Sequence, residues 1–208
     1  PFLGVLSWGP PHSPYETAPE QYRRMYDPAA ISLPANVPPE KRDDTRGPLA
    51  GYYAHCTALD DCFGRLIAAL DTHGLADNTL VIFTSDHGDM VGSHYLYDKQ
   101  CPWEESVRVP FLMRLPGVLK PGVSDLLIDS PDIFPTLCGF AGLDAPRSVQ
   151  GRDLSNHLRA GTTPEDDCAL LAAYCTFGNW PWIAAKLAPT PLYAAREYRG
   201  VRTKRYTY

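Results

Sequence analysis

No run in this 208-residue chain approaches the roughly 20 consecutive apolar residues a membrane-spanning helix needs, so none is encoded within it. There is also no block of Lys or Arg. Nineteen basic residues are dispersed among 24 acidic ones for a net charge of −5, which argues against a nucleic-acid groove. Six cysteines stand at 56, 62, 101, 138, 168 and 175, and none forms a C-x-x-C pair. That spacing excludes zinc-ribbon and dithiol redox motifs; the expectation is buried or half-buried free thiols, although an even count permits disulfides. Internal repeats and low-complexity tracts are absent as well.

What is present is an ordinary globular composition, 44% hydrophobic and 21% charged, long enough to bury a core. Twenty-one prolines and sixteen glycines imply that much of the chain is loop. The first six residues open directly into a strand pattern and the last four stop inside one, so both ends read as cut from a longer protein.

Residues 2–8 (Phe-Leu-Gly-Val-Leu-Ser-Trp) form an apolar run stopped by Gly9-Pro10-Pro11, the pattern of a buried strand and an abrupt turn. Residues 10–48 are rich in proline and charge and read as irregular. Over 49–73 apolar residues recur with a helical period, and Gly74 supplies the stop. The run Leu80-Val81-Ile82-Phe83-Thr84 has the β-branched character of a strand covered on both faces. Helix followed by buried strand is half of a βαβ unit, which predicts an α/β fold with a mostly parallel sheet flanked by helices. A second strand is expected at 109–114, with Pro110 at its start or on an edge. Ser130-Pro131 predicts a helix N-terminus and Gly142 its end, with a shorter helix over 153–160. Beyond about 164 the pattern turns to strands, so the chain divides into 1–163 and a small antiparallel C-terminal subdomain beginning at 164.

Strand 80–84 runs into Ser85-Asp86-His87-Gly88-Asp89. Ligands of open α/β sheets bind beyond the carboxyl ends of strands, so the adjacent carboxylate and imidazole of Asp86 and His87 form a candidate metal corner. An Asx-type turn explains Asp86 equally well from the residues alone. Lys99 could grip an anionic oxygen as a point charge, and His12, boxed between prolines, could act on a proton. A solvated lysine and an inert loop histidine are the plainer alternatives. Asp60 and Asp61 read as a solvated helix face, and Trp8, Trp103, Trp180 and Trp182 as core or cleft walls.

Taken in order, P-H-x-P at 11–14, N-T-L-V-I-F-T-S-D-H-G-D at 78–89, G-x-H-x-x-x-x-K at 92–99, E-E-S-V-R-V-P at 104–110 and Pro116-Gly117 resemble the sulfatase family of the alkaline phosphatase-like superfamily. The likeness is best over 52–117, extends over 47–153, and resumes at 198–203. It implies a sulfuric ester hydrolase acting on an aryl or carbohydrate sulfate, with no nucleic-acid partner. It implies that Asp86 and His87 bind a divalent metal, usually calcium, although imidazole suits Mn or Zn better. It implies that Lys99 and His12 are catalytic, flanking the sulfate and the leaving oxygen. His94 is expected in a supporting role, and Glu104, Glu105 and Arg108 in a bracing charge network.

The chain departs from the family in two places. No Cys or Ser begins a C/S-x-P-x-R pattern, the source of the formylglycine nucleophile, and the family's first pair of metal-binding aspartates is missing. Both are expected in sequence before Pro1, and residues 1–208 alone are expected to be inactive. The same metal corner also fits a phosphonate or phosphate monoester hydrolase, and without a nucleophile a non-catalytic fragment remains a reading.

Overall fold

A computed structural model describes residues 1–174 and 197–208, so Cys175, Trp180 and Trp182 lie outside the described residues. The described residues pack as two units: 1–79 with 87–99, and 80–86 with everything from 100 onward.

The first unit is organised by one long helix. The short helix α1 (Glu20–Arg23) is followed by α2 (Arg42–Thr72), 31 residues long, which begins seven residues before the apolar period does. Pro48, the last residue of the stretch read as irregular, lies inside it and removes one backbone donor. The preceding turn still forms because its residues are tied down elsewhere: Thr45 is fully buried and Arg46 donates to the Ile31 carbonyl. At the other end Gly74 takes φ +65°, the left-handed stop expected there. Tyr15, Ile31, Leu49, Ala50 and Val91 form the core, with Tyr26, Leu33 and Tyr52 packed on it.

Two glycines let loops close onto α2. A Cβ at Gly51 would stand 2.5 Å from the Tyr15 carbonyl oxygen, so the turn at Tyr15–Thr17 rests directly on the helix. Gly92 combines φ +87° with an approach to Thr45 that would leave a Cβ 2.3 Å from Oγ1. Any side chain there would meet both backbone strain and a clash.

The second unit contains α3 (Glu104–Val107), α4 (Ser130–Ala141) and α5 (Ser155–Ala160), with strands β1 (Val81–Thr84), β2 (Phe111–Arg114), β3 (Cys168–Tyr174) and β4 (Glu197–Thr203). Helices and strands thus mix as an α/β fold requires. The ladders the described residues form are both antiparallel: Val81 pairs with Arg114, and Cys168 with Thr203. The parallel neighbours expected for β1 are not among them. An apolar, β-branched run specifies a strand but not the direction of its partner. Val81, Ile82 and Phe83 of β1 are half-buried and Thr84 is exposed, rather than covered on both faces. The antiparallel character expected beyond 164 is present in β3 and β4. Residues 205–208 turn back along β4, with backbone hydrogen bonds between Val201 and Tyr208.

Residues 2–8 pair with no strand among the described residues and are exposed, Leu3 at 83% and Val5 at 81%. An extended segment needs a neighbour for its backbone groups before its apolar character can place it in a core. Helix α4 starts as Ser130-Pro131 predicts, except that the cap is Asp129, in a capping box with Asp132. Gly142 ends it in the left-handed region. The five described cysteines are all free, and Cys56 is exposed rather than buried.

Candidate active site

Three of the four residues singled out from the sequence meet in the first unit. His12 follows Pro10-Pro11 and precedes Ser13-Pro14, and its backbone N–H closes a turn onto the Gly9 carbonyl at 3.2 Å. The loop is anchored just beyond it. Thr17 Oγ1 donates to the Pro14 carbonyl at 2.7 Å, and buried His55 of α2 places its Nε2 3.3 Å from the same Thr17 oxygen.

The His12 ring has a defined tautomer. Nδ1 lies 2.8 Å from the Ser13 carbonyl oxygen, which can only accept, so Nδ1 carries the proton and Nε2 the lone pair. Lys99 Nζ sits 2.6 Å from that Nε2 and donates to it. One ammonium hydrogen is thereby committed to His12, and two remain for another acceptor.

His87 repeats the device. Its Nδ1 is 2.7 Å from the Gly88 carbonyl, which fixes that proton and leaves the lone pair on Nε2, the form in which imidazole binds metals. The His12 and His87 rings meet edge-to-face with centroids 6.2 Å apart. Asp86 precedes His87 in the chain, is exposed, and accepts from Ser85 Oγ at 3.4 Å. Among the described residues no three His, Cys, Asp or Glu side chains form a metal-binding group by themselves.

The segment between His87 and Lys99 is a closed loop whose one short piece of regular structure is a 3-10 turn at Ser93–Tyr95. Met90 N–H bonds the Asp98 carbonyl at 2.8 Å, and Gly92 N–H bonds the Leu96 carbonyl at 2.7 Å. Val91, His94, Tyr95 and Asp98 all take positive φ to make it. Those hydrogen bonds bring position 98 back beside position 90, and so return Lys99 toward His87. His94 faces Asn36, with Nε2 3.0 Å from the Asn36 side-chain nitrogen and its N–H on the Asn36 carbonyl.

Two residues of this region received no role from the sequence. Asp89 accepts from Tyr15 Oη at 2.7 Å and from Val91 N–H at 3.1 Å. Burial raises the Asp89 carboxyl above its usual range, against the lowering effect of its hydrogen bonds from Tyr15 and Val91. Burial likewise raises the Tyr15 hydroxyl, helped by the neighbouring Asp89 carboxylate. The Asp86-His87-Gly88-Asp89 stretch marked the position of Asp89, but its partner Tyr15 lies 74 residues away in sequence, beyond any local signal.

Elsewhere, Glu104 braces as expected, reaching Arg202 at 2.7 Å and Arg108 at 3.9 Å. Asp60 and Asp61 are exposed on α2, where Asp61 accepts from Tyr22. Trp8 lines an open hollow with Leu6, Cys62, Arg65 and Leu66, a set that contains none of the candidate residues.

Two family profiles match the chain: "Sulfatase" over residues 1–143 and "N-sulphoglucosamine sulphohydrolase, C-terminal" over 92–208. An ulvan-active sulfatase of Formosa agariphila is 39% identical over the whole of this chain and 39% of its own length. A sulfatase-type structure from Bacteroides fragilis aligns with TM-score 0.80 and 35% identity, over 96% of this chain and 42% of that one. The phosphonate monoester hydrolase of Agrobacterium radiobacter aligns with TM-score 0.74 and 26% identity, over 94% and 45%. The chain therefore spans about two fifths of the length of the relatives it matches. With one family profile covering well over half of the residues and alkaline phosphatase-like α/β structures as its neighbours, the chain belongs to the sulfatase family.

Proposed function

We propose that the protein carrying this chain hydrolyses sulfate esters of aryl alcohols or carbohydrates, and that Lys99 and His12 act on the ester oxygens. The observation that carries the reading is the 2.6 Å contact between Lys99 Nζ and His12 Nε2. Breaking an S–O bond leaves the electron pair on the departing oxygen, which then needs a proton or a fixed positive charge. Lys99 can supply either from the hydrogens that His12 does not hold, and His12 orients the ammonium. A profile named for N-sulphoglucosamine sulphohydrolase supports a sugar as one form of the leaving group.

Asp86 and His87 would provide two ligands of a divalent cation. An exposed carboxylate and an imidazole whose lone pair lies on Nε2 suit such a role. When bound, that cation would act as a Lewis acid on the sulfate oxygens. Calcium is the family's usual choice, while the imidazole leans toward Mn or Zn. No C/S-x-P-x-R pattern occurs in these 208 residues, so we assign the formylglycine nucleophile to other sequence of the protein and predict no turnover from residues 1–208 alone. We also propose that residues from 164 onward, including the β3–β4 ladder, belong to a small C-terminal subdomain.

The alignment with a phosphonate monoester hydrolase favours a second reading, a phosphonate or phosphate ester substrate. Rates of the intact protein on 4-nitrophenyl sulfate and on a phenyl phosphonate separate the two. Faster sulfate turnover, lost on chelation and restored by added metal, is expected; much faster phosphonate turnover would replace the sulfatase reading with its rival.

A further inference from the structure

The hydrogen bonds of Asp89 tie the segment that carries His12 to the loop that runs from His87 to Lys99. Tyr15 Oη, three residues past His12, donates to Oδ2 at 2.7 Å. The N–H of Val91, four residues past His87, donates to Oδ1 at 3.1 Å. Met90, the residue after Asp89, donates its N–H to the carbonyl of Asp98, immediately before Lys99, at 2.8 Å. Asp89 itself stands two residues from His87. A group that accepts at both oxygens is needed here, and an ionised carboxylate has about four lone-pair sites and no hydrogen to clash with the two donors.

The other end of the link is rigid. Tyr15 is buried in the core of the first unit, against Ile31, Leu49, Ala50 and Val91, and its ring meets Tyr52 edge-on at 6.2 Å. Its carbonyl lies so close to α2 that only glycine fits at position 51. The hydroxyl therefore presents a fixed point to which the 87–99 loop is pinned. That loop holds several residues at positive φ and has little regular structure of its own, so its shape depends on such ties.

We propose that Asp89 and Tyr15 form a positioning pair that sets the separation of His12, His87 and Lys99 and thereby the turnover rate. Neither touches the reacting atoms in this account; they act through the three residues whose segments they join. Displacing a reacting group by about 1 Å can slow a reaction on the order of 100-fold, so a pair that fixes three groups at once should matter far more to rate than to folding.

This inference rests on the proposed reaction, and its test is chosen to fail separately from it. Tyr15→Phe removes one hydroxyl and keeps the ring in the core; Asp89→Asn keeps the shape and replaces an acceptor oxygen with a donor. In the intact protein each variant should lower kcat on 4-nitrophenyl sulfate about 10- to 100-fold with KM within threefold. The double variant should fall little below Asp89→Asn alone. Tyr52→Phe, in the same core but not bonded to Asp89, should keep the wild-type kcat. The ring 15N resonances of His12 and His87 should move in Tyr15→Phe and stay in Tyr52→Phe. If both Tyr15→Phe and Asp89→Asn retain kcat within twofold while melting earlier, the pair is packing only and the proposal is wrong. If the wild type turns over neither sulfate nor phosphonate, the proposed reaction fails while the 15N shifts still decide the pairing: unmoved histidine resonances overturn it.

Discussion

Asp89 in the first unit and Asp132 in the second are carboxylates withdrawn from solvent, and each collects several donors, but from different chemistry. Asp132, 3% exposed at its side chain, is met by the guanidinium of Arg152 at 2.6 Å, accepts the Arg152 backbone N–H at 2.7 Å, and completes the capping box of α4. Burial pushes its carboxyl up, but the hydrogen bonds and charge of Arg152 outweigh that and hold it below the usual range. The donors on Asp89 are neutral, a phenol and a backbone N–H, and burial leaves its carboxyl raised. In the second unit the acid is neutralised on the spot and joins helix to loop. In the first, the acid shapes the loop while the cationic Lys99 is directed to a histidine lone pair. A charge kept out of an ion pair remains available to an anionic ligand; a charge placed in one serves stability. The same residue type thus marks a site in one unit and a joint in the other.

The contrast breaks first at Arg152. Arg152→Met should destabilise the protein by about 3–5 kcal/mol in denaturant titrations, because it leaves Asp132 buried and unpaired. Turnover per folded molecule should be unchanged. The sign of the pH dependence follows from Asp132. In the wild type its lowered carboxyl stabilises above the unfolded pKa and loses that contribution only as pH falls through the lowered folded value. In the variant burial acts unopposed and raises the group, so the penalty is full at neutral pH and fades once the carboxyl is protonated. The gap between the two proteins should therefore narrow as pH drops through about 4. A gap independent of pH would mean that Asp132 is not the group left uncompensated.

Lys99→Met is the converse experiment. A loss of about 10²–10³ in kcat, the range seen when one charge-stabilising donor is removed, should accompany an unchanged melting temperature. A large drop in stability instead would make Lys99 a joint like Arg152. Next comes Gly92→Ala. Its φ of +87° and the approach of Thr45 predict a cost of about 1–3 kcal/mol, together with slower turnover because the strained loop carries Lys99. Smallest of all, Arg24→Ala removes an exposed pair with Glu20 and should alter neither melting temperature nor rate measurably.

Local signals in the sequence located what local physics determines. Pro131 and Gly142 bracket α4 because a proline fits a helix's first turn and a left-handed glycine ends it. The helical period is legible only from 49, although α2 begins at Arg42 and passes through Pro48, because the burial of Thr45 and the Arg46 bond to Ile31 come from residues the periodicity does not see. Strand pairing was less legible still. The β-branched run at 80–84 predicts β1, but its partner is set by a segment about 30 residues away. For the site, the order of P-H-x-P, S-D-H-G-D and G-x-H-x-x-x-x-K identified His12, His87 and Lys99, which do meet; Asp86 was read with them as the residue preceding His87. Tyr15 and Asp89 stayed hidden because a tyrosine in a proline-rich loop and a second acid in a motif are unremarkable until they touch.

The central claim is that Lys99 faces the departing ester oxygen, and the most direct measurement is a leaving-group series. Wild-type and Lys99→Met forms of the intact protein would be compared on aryl sulfates whose phenols span a wide range of acidity. The account predicts that the penalty in kcat/KM grows as the phenol becomes less acidic, since a poorer leaving group depends more on the proton or charge that Lys99 supplies. An equal penalty across the series would contradict it and move Lys99 from the leaving oxygen to general anion binding.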